Sequence, residues 1–343
     1  MSRPSVLLIT PYLKQQRGNT VTSLRLLKGL SQLGYAMDML SLDSPQGWSW
    51  AAERLSKGDY QLLHILHAAS LEQVWQRLPD TAGLPLVLTT TGTDINVDLF
   101  GPQRPVIEKA LQQADRIVVF SPTFVPILTS SLPDISAKLR IIPQAVDLSD
   151  HPAWSRSQLN YRDDDIIAVL PSGLRPVKRI EWALQAMEMA AVYCANLHLV
   201  VVGPNIDHRY AQAILNDIEQ LPRTVYLGEV DHKEMAGLYG IADLVLNTSL
   251  VEGQPQAALE GMSMGLPAIM SAVTGNLGIM TSGKEGFYVD SPQELAQAMI
   301  TLADNRPLRL EMGAAAASLV HQNYAVEWEW EQYHTLYREL LGS

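Results

Sequence analysis

Short apolar runs of strand length recur along the chain, separated by stretches whose apolar residues return at helical spacing. This alternation predicts an α/β protein built on parallel sheets. In the first half, strands are expected at 6–10, 36–42, 62–66, 86–90, 116–120 and 139–142. Helices fall between them, notably 20–33, closed by Gly34, and 104–113. The segment 147–165 is polar and unperiodic and reads as a linker. After it the pattern restarts, with strands expected at 166–170, 197–202, 224–227, 244–247 and 268–271. A last amphipathic stretch, 328–341, carries Trp330, Tyr333, Leu336, Tyr337 and Leu340 on one face. Two doubly wound, Rossmann-like domains are therefore expected, 1–150 and 166–323, facing a cleft. Ligands of such sheets bind at the carboxyl ends of the strands, so the turns there are the places to search.

Length and composition agree with that division. The 343 residues suit two domains of ~150–170 residues each, and 47% hydrophobic content is enough to bury both cores. No apolar run approaches the ~20 residues of a membrane span, and the N-terminus lacks a signal-peptide pattern, so a cytoplasmic protein is expected. Cys194 is the single cysteine, which excludes an intramolecular disulfide or a thiolate cluster; its neighbours read as a buried helix face. The net charge of −11 is uneven: 13 basic and 13 acidic residues up to 150, then 12 basic and 23 acidic. An acidic surface repels phosphate backbones and anionic headgroups. Nucleic acid is excluded as a partner, and a small molecule is preferred over a lipid. A homodimer is left open. The acidic run Asp163-Asp-Asp165 lies in the linker, where no metal site is expected.

The sharpest chemical signal is Glu252-Gly-Gln-Pro-Gln-Ala-Ala-Leu-Glu260, which follows the strand 244–247 and opens a helix. Free backbone N–H groups at such a helix start suit an anion, and two carboxylates suit sugar hydroxyls. By spacing alone, the pair could equally be a helix-dipole charge and a solvated face residue. In the first half, Gly18-Asn19 follows the first strand and opens a helix, allowing close backbone approach to a diphosphate. His67 ends the third strand at the cleft edge, whereas His64, three residues earlier, packs inward. Thr91-Gly-Thr93-Asp94 ends the fourth strand; there Asp94 could accept from an acceptor or from the loop backbone.

The stretch from Tyr226-Leu-Gly-Glu-Val-Asp through Ala-Asp-Leu-Val-Leu-Asn-Thr-Ser-Leu-Val-Glu252-Gly to Ala-Leu-Glu260-Gly-Met-Ser-Met-Gly resembles the donor half of the retaining glycosyltransferases of family 4, which have the GT-B fold. Pro171-Ser-Gly-Leu-Arg-Pro-Val-Lys178, Gly275-Asn and the closing aromatic helix extend the likeness. Within the family the chain is similar to the glycosyltransferase 1 domain-containing group and to a bacterial selenosugar synthase-like branch. The resemblance implies a C-terminal helix, 324–343, that crosses back to the first domain. It implies transfer from a nucleotide-sugar, with UDP expected, and closure of the two domains over the site. No metal or other cofactor is implied, since side chains and helix ends neutralise the leaving diphosphate. Glu260 then matches the glutamate on the ribose, Glu252 the one near the sugar 3- and 4-hydroxyls, and Lys178 the lysine on the diphosphate. Gly173 stands where the family usually has an arginine, and Arg175 is placed to substitute for it. Val230, in the turn Gly228-Glu-Val230, matches the base-binding position, and Gly253 lies beside Glu252. His67 matches a histidine near the sugar 6-hydroxyl. Thr91 replaces a common histidine, so Thr93 and Asp94 are assigned only to the acceptor side. The alternatives are transfer to an inorganic selenium acceptor, a UDP-sugar epimerase, and a catalytically silent binding protein.

Overall fold

The computed structural model describes residues 3–13, 18–78, 81, 83–148, 152 and 154–342. Parallel strands need long crossovers, which the intervening helices supply. The first sheet contains β1 (Ser5–Thr10), β2 (Ala36–Ser41), β3 (Leu62–Leu66), β4 (Leu86–Thr89), β5 (Arg116–Val119) and β6 (Leu139–Ile141), in the order β2-β1-β3-β4-β5-β6. The second contains β7 (Ile166–Pro171), β8 (Leu197–Val202), β9 (Thr224–Tyr226), β10 (Leu244–Asn247), β11 (Ala268–Ser271) and β12 (Gly286–Val289), in the order β12-β11-β10-β7-β8-β9. All paired strands are parallel. The eleven expected strands are found within a residue or two of their expected ends. β12 is the strand the apolar pattern missed, being four residues long and preceded by Ser282-Gly-Lys-Glu285.

The chain divides into two compact units. One runs through Ala145 and takes up Val326 onward; the other is residues 146–325. The described part of 147–165 lies on the second unit, where Trp154, Leu159 and Tyr161 pack against one face of its core. Arg156 fixes it further by donating to Asp243 Oδ2 at 2.8 Å and to the carbonyl of Ile241 at 2.9 Å.

Both sheets are covered on both faces, which is why their strands read as unbroken apolar runs. Ile166, Ala168 and Leu170 enter one core and Ile167 and Val169 the other. In the first unit, Leu7 and Ile9 enter one core and Val6 and Leu8 the other. That last core is closed by the C-terminal helix Val326–Leu341, whose Tyr333, Leu336 and Tyr337 are buried in it, as the resemblance implies. The helix is registered by polar contacts as well as by burial. Arg25 of the helix Gly18–Gln32 grips Glu329 through Nε at 2.6 Å and Nη2 at 2.9 Å, with both side chains 1% exposed. Gly29 is required beside them, because a Cβ there would stand 2.0 Å from the Trp330 ring. Under this helix, His64 Nδ1 shares a hydrogen bond with the Tyr337 hydroxyl at 2.6 Å and Nε2 one with Thr89 Oγ1 at 2.8 Å. Thr89 in turn meets the Tyr333 hydroxyl at 3.1 Å.

Burial pushes the His64 imidazole down to about 3, from an ordinary value of 6.5, so it is neutral in the folded protein. An unfolded chain protonates this histidine below pH 6.5. Stability should therefore fall on acidification through the window between the two values, by ~2 kcal/mol at pH 5 from this group. Urea unfolding at pH 7 and pH 5 checks this. His64→Asn should lose about 2 kcal/mol less than the wild type over that interval, and equal losses would contradict the assignment.

Candidate functional site

In each sheet the strand order reverses once, and at that point the turns after two neighbouring strands diverge and leave a crevice. The reversal of the second sheet lies between β7 and β10. The turn after β7 carries Gly173, Arg175 and Lys178; the turn after β10 carries Glu252 and Gly253. The residues singled out from the sequence thus meet at the one crevice that the topology opens in this sheet.

Lys178 Nζ stands 2.5 Å from Glu252 Oε1. The same oxygen accepts from Ser249 Oγ at 2.6 Å and from Asn247 Nδ2 at 3.0 Å. Burial pushes the Glu252 carboxyl up, but the Lys178 ammonium, with the Ser249 and Asn247 donors, outweighs burial and leaves it below the usual carboxylate range. The two turns are also stitched together through their backbones. Leu250 N donates to Val177 O at 2.8 Å, and Thr248 Oγ1 to Lys178 O at 2.8 Å. Arg179 opens the helix Ile180–Ala190 from a left-handed backbone, φ 44°. Its guanidinium donates to the carbonyls of Thr248 at 3.0 Å and Ser249 at 2.9 Å, and stacks 3.7 Å over Trp182. Asn247, Ser249 and Arg179 were not singled out from the sequence. The signal for the first two was present, as two polar residues between a buried strand and a carboxylate.

The segment after β11 closes the crevice from behind. Gly275 abuts the Glu252 backbone so tightly that a Cβ would lie 2.1 Å from the Glu252 carbonyl oxygen. Asn276, fully buried, donates to Asn247 Oδ1 at 3.2 Å. Glu260 lies on the helix Gln256–Ser263 and is 4% exposed, which rules out the solvated-face reading of this residue. Its Oε1 meets His232 Nε2 at 2.8 Å and its Oε2 accepts from the Tyr239 hydroxyl at 3.4 Å. His232 follows the turn after β9, and its pairing with Glu260 carried no sequence signal. On that turn Val230 packs against the sheet's core, and Gly228, φ 80°, accepts from Gly203 N at 2.8 Å.

In the first unit the reversal lies between β1 and β3. Gly18 and Asn19 begin the helix after β1, where their carbonyls accept from Thr22 Oγ1 at 2.9 Å and Ser23 Oγ at 2.7 Å. His67 follows β3 with φ 70°, an uncommon backbone for a branched ring residue. Its Nε2 lies 3.3 Å from Thr93 Oγ1 and 3.9 Å from Asp98 Oδ2. Burial pushes the Asp98 carboxyl up, against the pull of His67. Asp94 goes to the loop backbone rather than to the acceptor side. Its buried carboxylate accepts from the amides of Ala68 at 3.0 Å, Thr91 at 3.0 Å, Gly92 at 2.9 Å and Ile95 at 3.1 Å. Cys194 is buried and donates to Asp304 Oδ1 at 3.4 Å; burial, then Asp304, pushes the thiol up to about 11.

Residues 166–305 match the family of glycosyl transferases group 1. Over those residues the chain is similar to the group 1 glycosyltransferases, and its fold is of the GT-B type. A Xenopus tropicalis relative, glycosyltransferase 1 domain-containing protein 1, is 25% identical over 94% of this chain and 95% of its own length. Two solved structures share the GT-B fold. Sucrose-phosphate synthase from Thermosynechococcus elongatus has a TM-score of 0.83 at 20% identity, over 99% of this chain and 100% of that one. Anabaena HepE, solved with UDP and glucose, has a TM-score of 0.82 at 17% identity, over 98% and 100%. Among the described residues no helix is long and apolar enough to cross a membrane.

Two glycines make the closeness of the crevice testable. Gly275→Ala forces a methyl group onto the Glu252 backbone and should cost about 1–3 kcal/mol. Gly18→Ala has open space within 4 Å and should cost little by comparison. Chemical denaturation of both variants reads the difference; a neutral Gly275→Ala would mean that the two segments can part freely.

Proposed function

We propose that this protein is a glycosyltransferase that moves a hexosyl group from a UDP-sugar to a small-molecule acceptor with retention of anomeric configuration. The observation that carries the reading is the Lys178–Glu252 pair, 2.5 Å apart at the strand-order reversal, with Glu260 buried on the helix that follows. A cation, two carboxylates and the N–H groups of a helix start are the groups that a diphosphate flanked by two hydroxyl-bearing sugars requires. HepE, of the same fold, binds UDP and glucose, which supports UDP as the nucleotide here.

On this reading Glu260, held by His232 and Tyr239, accepts from the ribose hydroxyls. Glu252 accepts from the donor-sugar hydroxyls. Lys178 and Arg175 neutralise the diphosphate, and Gly173 and Gly253 keep the two turns small beside it. Val230 is assigned to the base, and on the first unit the reading assigns roles to His67, Thr93, Gly18 and Asn19. The acceptor oxygen forms a bond to the anomeric carbon on the face from which the diphosphate departs. The bond from that carbon to the diphosphate oxygen breaks, its electron pair stays on the diphosphate, and the acceptor proton passes to that same oxygen. No side chain need act as base. The protein supplies orientation and stabilises charge on the leaving group. No metal or organic cofactor enters this scheme, and a cytoplasmic location is part of the proposal.

Incubation with UDP-sugars and a metabolite extract, read by mass spectrometry and then NMR of the product anomer, tests the whole reading. An α-linked product from an α-linked donor is expected. A donor interconverted without any acceptor would instead indicate an epimerase. Lys178→Ala should lower turnover on the order of a hundred- to a thousand-fold, ~3–4 kcal/mol in the barrier, because charge on the diphosphate grows as the bond breaks. Near-normal turnover would move the diphosphate role to Arg175. For Glu260→Ala, calorimetric titration with UDP should show affinity lower by about ten- to a hundred-fold, the loss of hydrogen bonds to a charged group. Unchanged UDP affinity in the folded variant would remove Glu260 from the site.

A further inference from the structure

Glu252 stands at the end of a chain of side-chain amides. Asn276 donates Nδ2 to the Ser271 carbonyl at 2.8 Å and to Asn247 Oδ1 at 3.2 Å. Asn247 Oδ1 also accepts from Ser249 N at 3.1 Å, and Asn247 Nδ2 donates to Glu252 Oε1 at 3.0 Å. Ser271 Oγ donates back to the Ser249 carbonyl at 2.6 Å, so the anchor and the loop close on each other. The orientation of the Asn247 amide follows from its partners. A backbone N–H and an amide NH2 both converge on one of its atoms, which must be the oxygen, so its nitrogen must face Glu252.

This arrangement matters once a donor arrives, and the argument rests on the donor-site reading of Lys178 and Glu252. The diphosphate competes for Lys178, the one cation shown hydrogen-bonded to Glu252 Oε1. The turn after β7 brings Arg175, Lys178 and Arg179 to this end of the sheet, and Arg179 is committed to the Thr248 and Ser249 carbonyls. The segment behind supplies Ser271 and Asn276, both uncharged, and the following helix supplies Glu260, paired with His232. With Lys178 engaged elsewhere, the Ser249 hydroxyl and the Asn247 amide remain as donors to Glu252. The hydroxyl can rotate and the amide cannot.

We infer that Asn247 is a positioning residue of the donor-sugar subsite, which keeps Glu252 an ionised acceptor for sugar hydroxyls after Lys178 has turned to the diphosphate. Asn247 thereby acts more on recognition of the sugar than on recognition of the nucleotide.

Asn247→Asp tests this with almost no change of shape. Oδ1 keeps the bonds from Ser249 N and Asn276, but an oxygen replaces Nδ2 opposite Glu252, and two facing carboxylates at this distance do not both ionise. The readout is the affinity for UDP and for whichever of UDP-glucose, UDP-galactose and UDP-N-acetylglucosamine the wild type binds most tightly, measured by calorimetry from pH 5.5 to 8. The wild-type ratio of the two affinities should be nearly constant with pH. In Asn247→Asp, UDP affinity should hold within a few-fold. UDP-sugar affinity should fall by about tenfold or more at pH 8 and recover toward pH 5.5, the scale of one hydrogen bond to a charged group. Asn247→Ala should lose the UDP-sugar advantage at every pH without that recovery, and thermal unfolding confirms that both variants fold. A folded Asn247→Asp whose ratio matches the wild type at every pH overturns this inference alone. A wild type that binds neither UDP nor any UDP-sugar overturns the donor-site reading and the inference with it.

Discussion

A lysine and a glutamate taken out of water together lose several kcal/mol of hydration each, and their attraction offsets that loss only when the remaining polar atoms are also satisfied. The Lys178–Glu252 pair meets this condition through its surroundings. Ser249 and Asn247 add donors to the carboxylate, Arg179 and Thr248 hold the two turns in register, and Gly275 lets a third segment press against the Glu252 backbone. The rest of the crevice follows from that requirement. A pair of isolated side chains at the same place would part into solvent. Here the strand-order reversal between β7 and β10 supplies two diverging turns, and the hydrogen bonds between them fix how far they diverge.

The first unit applies the same physics to a structural end. Glu329 of the C-terminal helix is buried against Arg25, and the two make paired Nε and Nη2 contacts, the geometry in which a desolvated ion pair is strongest. Around it, Gly29 admits the Trp330 ring, and His64, Thr89, Tyr333 and Tyr337 satisfy one another beneath the helix. Apolar burial alone would let this helix slide along its axis at small cost. A bidentate pair and directional hydrogen bonds permit one register only, and that register covers the face of the sheet that Val6 and Leu8 leave apolar.

The strands were legible in the sequence because parallel strands buried on both faces are unbroken apolar runs. The carboxylates were legible because they stand at the end of such a run. β12 was not, since Gly286-Phe-Tyr-Val289 is too short to give a period. It is held instead by Gly286, φ 156°, lying against Ala268, where a Cβ would meet the carbonyl oxygen at 1.9 Å. The supporting residues of the site were illegible for a related reason. Lys178 and Glu252 are 74 positions apart and Asn276 and Asn247 are 29 apart, so their contacts exist only once the strand order is known. Asp94 shows the converse. As a carboxylate at a strand end it matched the pattern of a ligand-binding group, and only the four amides around it assign it to the loop.

On the proposed reading, Glu252 pairs with the Lys178 charge for which the donor diphosphate competes. UDP alone would draw Lys178 toward the diphosphate and leave Glu252 with less compensation in a place of low dielectric. A complete UDP-sugar removes the same lysine but returns hydroxyl donors to the carboxylate, so the second half of the ligand offsets what the first half costs. Discrimination between donor and nucleotide product then does not depend on the number of contacts to the sugar. It depends on how costly an undercompensated Glu252 is, and that cost is set by the burial which Gly275 and Asn276 impose from behind. A more open crevice would bind UDP and UDP-sugar more evenly, because water would replace the missing donors. On that reading the close packing behind Glu252 would be a determinant of donor recognition, although no atom of that packing need touch the sugar.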